Sequence, residues 1–139
     1  TLTQHDALPI SEDERDLARV RLDLELYENY ARGYLETARG FLTPLEIDLL
    51  PFAAKLITLE QGMRFLADHL NGDVYYKIHR ENHNLDRART QLKMVADMEG
   101  KFQAMQAIVA KYRYGKPHPL GASCPGEDEM SLVMLVPSD

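Results

Sequence analysis

Four polar side chains interrupt the most apolar stretch of this chain: Glu60, Gln61, Arg64 and Asp68, all within residues 43–76. They advance in steps of three and four, which sets several of them on one face of a helix. An isolated buried charge is costly, so an Arg or Asp on a mostly apolar helix must be paired or must line a wet cavity. Two arrangements satisfy that requirement. One is an internal ladder of ion pairs, Glu60 to Arg64 and Arg64 to Asp68, at i,i+4 spacing. The other is a ligand wall, in which the Arg64 guanidinium donates hydrogen bonds to an oxygen-rich molecule.

Other familiar chemistries lack their residues. The sequence holds no glycine-rich phosphate loop, no dinucleotide fingerprint and no nucleophile elbow. His79 and His83 stand four apart, but they fall in a connection and have no third ligand at a metal-site spacing. The run His83-Asn84-Leu85-Asp86-Arg87 resembles a kinase catalytic loop superficially, with its roles in the wrong order. It reads better as a helix start, with Asn84 as the cap and Asp86 at the positive end of the dipole.

The elements that must position these residues are helices. Over residues 22–39, Leu24, Tyr27, Tyr30, Ala31, Tyr34, Leu35 and Ala38 form one apolar stripe that stops near Gly40. Its three tyrosines are expected to be buried with their hydroxyls satisfied. Thr43-Pro44-Leu45-Glu46 spells a capping box with proline at the first helical position. Pro51 is expected to divide the stretch after Thr43 into a short helix at 44–50 and a longer one at 51–70, with a kink between them. The longer piece is apolar on more than one face (Phe52, Ala53, Leu56, Ile57, Leu59, Met63, Phe65, Leu66, Leu70), the pattern of a central, buried helix ended by Asn71-Gly72. A third helix is expected over residues 85–112, weakened but not stopped at Gly100. The expected fold is therefore all-α, with three main helices and a kink near Pro51.

The flanks differ in character. Residues 1–11 have no helical period and resemble a translated sequencing adapter. They are read as a non-native leader, the alternative being a frayed natural N-terminus, and His5 and Asp6 carry no function in either case. Residues 113–139, rich in Gly, Pro and small polar residues, read as a flexible tail. A net charge of −6 disfavours nucleic acid or an anionic membrane as partner. The single Cys124 admits no intrachain disulfide, no apolar run approaches about 20 residues and no secretory signal is seen, so a cytoplasmic location is expected.

The blocks LLPFAAKL, GMRFLADHLNGD and NLDRARTQ, with EDERDLARV and LDLELYENYARGYL before them, carry a family resemblance. Residues 12–112 resemble the C-terminal helical region of kinase-like phosphotransferases of the aminoglycoside phosphotransferase and choline kinase superfamily. Within it, the similarity is greatest to the N-acetylhexosamine 1-kinases. The resemblance implies the C-terminal lobe of a protein-kinase-like fold, and a parent activity that moves the γ-phosphate of ATP, with Mg²⁺, to the anomeric hydroxyl of an N-acetylated hexosamine. It also implies that Arg64 and Tyr75 contact the sugar; Asp68, one helical turn beyond Arg64, is read as orienting it, and Tyr76 as packing. The family's His-x-Asp loop, metal-binding aspartate, glycine-rich loop and nucleotide-binding lysine are absent from this sequence. The chain is thus expected to supply the sugar-side wall and to bind neither ATP nor metal alone. The alternative is an autonomous, non-catalytic helical module that buries its apolar stripe by self-association.

Overall fold

Thr43 starts the longest helix as its residue type demands. Its hydroxyl accepts from the Glu46 amide at 3.2 Å, while the Glu46 carboxylate accepts from the Thr43 amide at 2.7 Å. These reciprocal bonds, the amide of Thr43 foremost, hold the Glu46 carboxyl below its usual range. The computed structural model describes residues 11–114, and the expected leader and tail lie almost wholly outside them. Within that span a short 3-10 turn, Leu17–Arg19, is followed by α1 (Leu24–Ala38), α2 (Pro44–Leu70), α3 (His83–Gly100) and α4 (Phe102–Arg113). The described residues are all-helical, and no helix among them is long and apolar enough to cross a membrane.

At 27 residues, α2 is a rod roughly 40 Å long. Pro51 does not end it: the expected pair of helices is one, with the proline fully buried inside it. The ring still removes one backbone donor in the N-terminal half of the rod, yet the helix runs on through it. There Leu35 of α1, Ile47 of α2 and Val109 of α4 form the core, flanked by Tyr27, Leu42, Leu50 and Tyr112. Burying each large apolar side chain here contributes about 1.5–3 kcal/mol. The other half of α2 packs along α3, its most extensive contact. Gly62 permits that approach. A Cβ built on it would lie 3.1 Å from Cβ of Gln91 and 3.4 Å from a Leu92 methyl.

Three further expectations are corrected. The helix at 85–112 is two helices, because Gly100 lowers helix propensity and Lys101 leaves helical geometry at φ −109°, ψ 9°. The Lys101 ammonium pins this junction, donating to Asp97 at 2.7 Å and to the Leu22 carbonyl at 2.8 Å. Of the α1 tyrosines, only Tyr27 is half-buried; Tyr30 and Tyr34 stack on each other in the open, ring centroids 6.4 Å apart. And α2 is central without being enclosed. Its flanking helices cover a single side, which leaves Phe52, Leu56, Ile57, Met63 and Leu70 exposed on the other.

Residues 11–22 are a strap tied down along α3. The Thr90 hydroxyl donates to the Glu14 carbonyl at 2.9 Å, the Leu22 amide donates to Asp97 at 2.6 Å, and Val20 is buried.

Two glycines test this packing in opposite directions. Gly62→Val forces α2 and α3 apart and lowers unfolding stability by about 1–3 kcal/mol. Gly33→Ala, where the helix surface is open, raises it by up to about 1 kcal/mol. Urea denaturation of both variants reads the contrast; a neutral Gly62→Val would disprove the close approach.

Candidate functional site

The C-terminal end of α2 is built around one carboxylate. Asn71 caps the helix, and Gly72 (φ 90°) and Asp73 (φ 57°) turn the chain through two successive left-handed residues. The chain then wraps around Asp68. Its Oδ1 accepts from the amides of Val74 (3.1 Å) and Tyr75 (2.8 Å), and its Oδ2 from the amide of Tyr76 (3.0 Å). Asn84 of α3 completes the set. Its side-chain amide donates to Asp68 at 2.8 Å and to Asp73 at 2.9 Å.

Burial at 5% exposure would raise the Asp68 carboxyl. The amides of Tyr76, Tyr75 and Val74 and the Asn84 side chain outweigh it and hold the group below its ordinary 3.8. Charge-assisted bonds of this kind are stronger than neutral ones.

That clasp decides which side chains of the turn face outward. Tyr75 stands 78% exposed, whereas Tyr76 turns inward, its ring 4.7 Å from Phe65 and edge-on to Tyr75 at 4.9 Å. Arg64, one turn before Asp68, lies on the surface with its Nε 3.1 Å from Glu60. The Tyr76 hydroxyl, then the Glu60 carboxylate, raise its pKa further. Gln61 reaches the same hydroxyl at 3.4 Å. Arg64, Ala67, Asp68, Asn71, Val74, Tyr75 and Tyr76 together line an open depression of about 400 Å³. Arg64 and Tyr75 therefore border one hollow, with the Asp68 clasp beneath.

The ladder of ion pairs is half formed. Glu60 pairs with Arg64, but Asp68 turns to backbone amides, so it fixes the Tyr75 side of the hollow and leaves Arg64 to Glu60. Asn84 is not the cap of α3 that its sequence position suggests. The helix begins one residue earlier, at His83, after a left-handed Asn82, and the fully buried Asn84 spends its side chain on the clasp. Asp86 does occupy the first turn of α3, where Arg80 and Arg15 pair with it.

Sequence reasoning missed the second layer. Arg87 donates to the Asn84 side-chain oxygen (3.1 Å), the Lys77 backbone carbonyl (3.2 Å) and Asp13 (3.2 Å), and lies over the Phe65 ring. His83 is buried. Its Nδ1 accepts from the His79 amide at 3.2 Å, which leaves the proton on Nε2, 2.6 Å from Asp13. The His79–His83 pair is thus part of the scaffold, and both nitrogens of His83 are occupied. Only the i,i+3 spacing of Asn84 and Arg87 hinted at a shared face; the strap that meets them is about 70 residues away in sequence. Among the described residues, no group of three His, Cys, Asp or Glu side chains is arranged to hold a metal ion. No protein-family model matches the chain.

The clasp has a pH signature. Because the folded-state carboxyl titrates below its unfolded value, its stabilisation is complete above about pH 4 and is lost as pH falls through the folded pKa. Asp68→Asn should flatten the acid limb of stability between about pH 5 and 2, read by thermal melts across that range. An unchanged limb would show that Asp68 is not clasped. Asn84→Ala leaves buried acceptors unpaired and costs about 1–3 kcal/mol by denaturant titration.

Proposed function

We propose that this helical unit is the sugar-side wall of an ATP-dependent small-molecule phosphotransferase, with an N-acetylated hexosamine as the substrate class. One observation carries the reading: Arg64 and Tyr75, eleven residues apart in sequence, border the same hollow, and the turn bearing Tyr75 is clamped by a buried carboxylate. The chemistry of the rim suits a sugar. A guanidinium fork donates to hydroxyl or acetamide oxygens, and an exposed tyrosine offers both a ring face and a hydroxyl. The volume lies within the range of small-ligand pockets. The sequence blocks that resemble the N-acetylhexosamine 1-kinases also span both rim residues.

Asp68 is not placed to hold Mg²⁺. The carboxylate of the hollow, Asp68, already accepts from three backbone amides and a side-chain amide, and so has no oxygen directed at a metal. No phosphoryl step is assigned to these residues. Their part is positioning: Arg64 held by Glu60, and Tyr75 held by the clasp, would fix the orientation of a sugar hydroxyl for a catalytic apparatus elsewhere.

Titration of the chain with N-acetylglucosamine, followed by NMR, tests this reading. The resonances of Arg64 and of residues 74–76 should shift at millimolar sugar, and Arg64→Ala should weaken the response about tenfold without altering helicity. Shifts scattered over the surface, or an Arg64→Ala chain that binds equally well, would overturn it.

A further inference from the structure

The side of α2 that no other helix covers carries a repeat of its own. Leu45, Leu49, Phe52, Leu56, Leu59, Met63, Leu66 and Leu70 follow one another at alternating steps of four and three, without a break, along the rod. That 3.5-residue period over four heptads is the seam of a coiled coil. A single surface helix serving one core needs no such seam, and the core-facing residues of α2 (Ile47, Pro51, Phe65, Asp68) lie on its opposite side. Most of the seam is open: Leu45 is 66% exposed, Leu56 50%, Met63 60% and Leu70 76%, while Leu59 and Leu66 are half-buried.

We infer that α2 pairs along this seam with α2 of a second copy of the chain, antiparallel, about a twofold axis between residues 56 and 59. Three observations favour this occupant. The first is self-complementarity. About that axis every layer joins two apolar residues: Leu45 with Leu70, Leu49 with Leu66, Phe52 with Met63, and Leu56 with Leu59. A parallel pairing would instead stack Phe52 on its own twin, whereas here the bulky ring meets a flexible thioether. Antiparallel helices also oppose their dipoles.

The second is charge. The positions beside the seam bring Asp48 opposite His69 and Ala53 opposite Glu60, so no like charges meet. The third is area. The exposed fractions leave on the order of 600 Å² of apolar seam per copy, and pairing buries on the order of 1,200 Å² in all, the lower bound for a specific stable interface. This inference does not depend on the sugar-binding reading, because mass and not ligand reports it.

Sedimentation equilibrium of the 139-residue chain over about 1–200 µM should show a monomer–dimer equilibrium. Leu56→Glu, at a half-exposed site that the fold tolerates, should weaken dimerisation by at least about tenfold with its circular dichroism unchanged. Phe41→Glu, equally apolar and 89% exposed but off the seam, should leave it intact. Mixing Leu56→Glu with Leu59→Lys should restore a heterodimer, since the antiparallel register sets the new Glu against the new Lys. A wild-type monomer at about 200 µM, an open-ended aggregate, equal loss in Phe41→Glu, or folded Leu56→Glu and Leu59→Lys chains that do not pair would each overturn the inference.

Discussion

The Asp68 carboxylate holds the end of this fold together. It is nearly buried, and two oxygens accept four N–H donors drawn from the following turn and from α3. A carboxylate placed there without those donors would be severely unfavourable, and a turn with three successive unpaired amides nearly so. Each requires the other. The consequence is a backbone of fixed shape after Asn71, with Tyr75 directed outward and Tyr76 directed against Phe65. A loop of mixed polarity becomes a rigid platform because its polar groups are spent on one anion.

Around that platform lies a polar network that joins distant parts of the chain. Asn84 passes the clasp to α3, Arg87 links it to the Lys77 carbonyl and to Asp13, and His83 meets the same Asp13. The strap at residues 11–22 is thereby attached to α3 at both ends, through Asp13 and through Asp97 and Lys101. Exposed ion pairs contribute little by themselves. Here several members are shielded, and each aligns another, so their effect is on geometry more than on total stability. One apolar cluster lies at the other end of α2, around Leu35, Ile47 and Val109, and Phe65, Ala88 and Val95 are buried along α2 and α3.

α2 also illustrates how an apolar composition can mislead. A helix apolar on several faces is usually surrounded, yet a bundle of four helices built on one rod has only enough surface to cover one side of it. The uncovered side keeps a coiled-coil period while the covered side keeps small or polar residues, Gly62 and Asp68 among them. The two faces have different sequence logic, and the hollow bordered by Arg64 and Tyr75 opens at the C-terminal end of the same rod.

Local chemistry was legible in the sequence. The Thr43–Glu46 box, the stop at Asn71-Gly72, the all-α class and the i,i+4 pairing of Glu60 with Arg64 each depend on residues within a turn of one another, and each is present. The sequence also singled out Asp68 as a charge needing a partner, without showing that the partners would be backbone amides. What required the tertiary structure were outcomes fixed by distant contacts. Pro51, fully buried, stays inside one helix where its residue type predicts a break. Asn84 is drawn from capping to clasping because Asp68 and Asp73 lie beside it. The charged strap is ordered by α3, and the long third helix breaks where Lys101 reaches Leu22. Backbone propensities differ by about 1 kcal/mol or less per residue for most residue types, so a buried polar contact between distant segments is enough to override them.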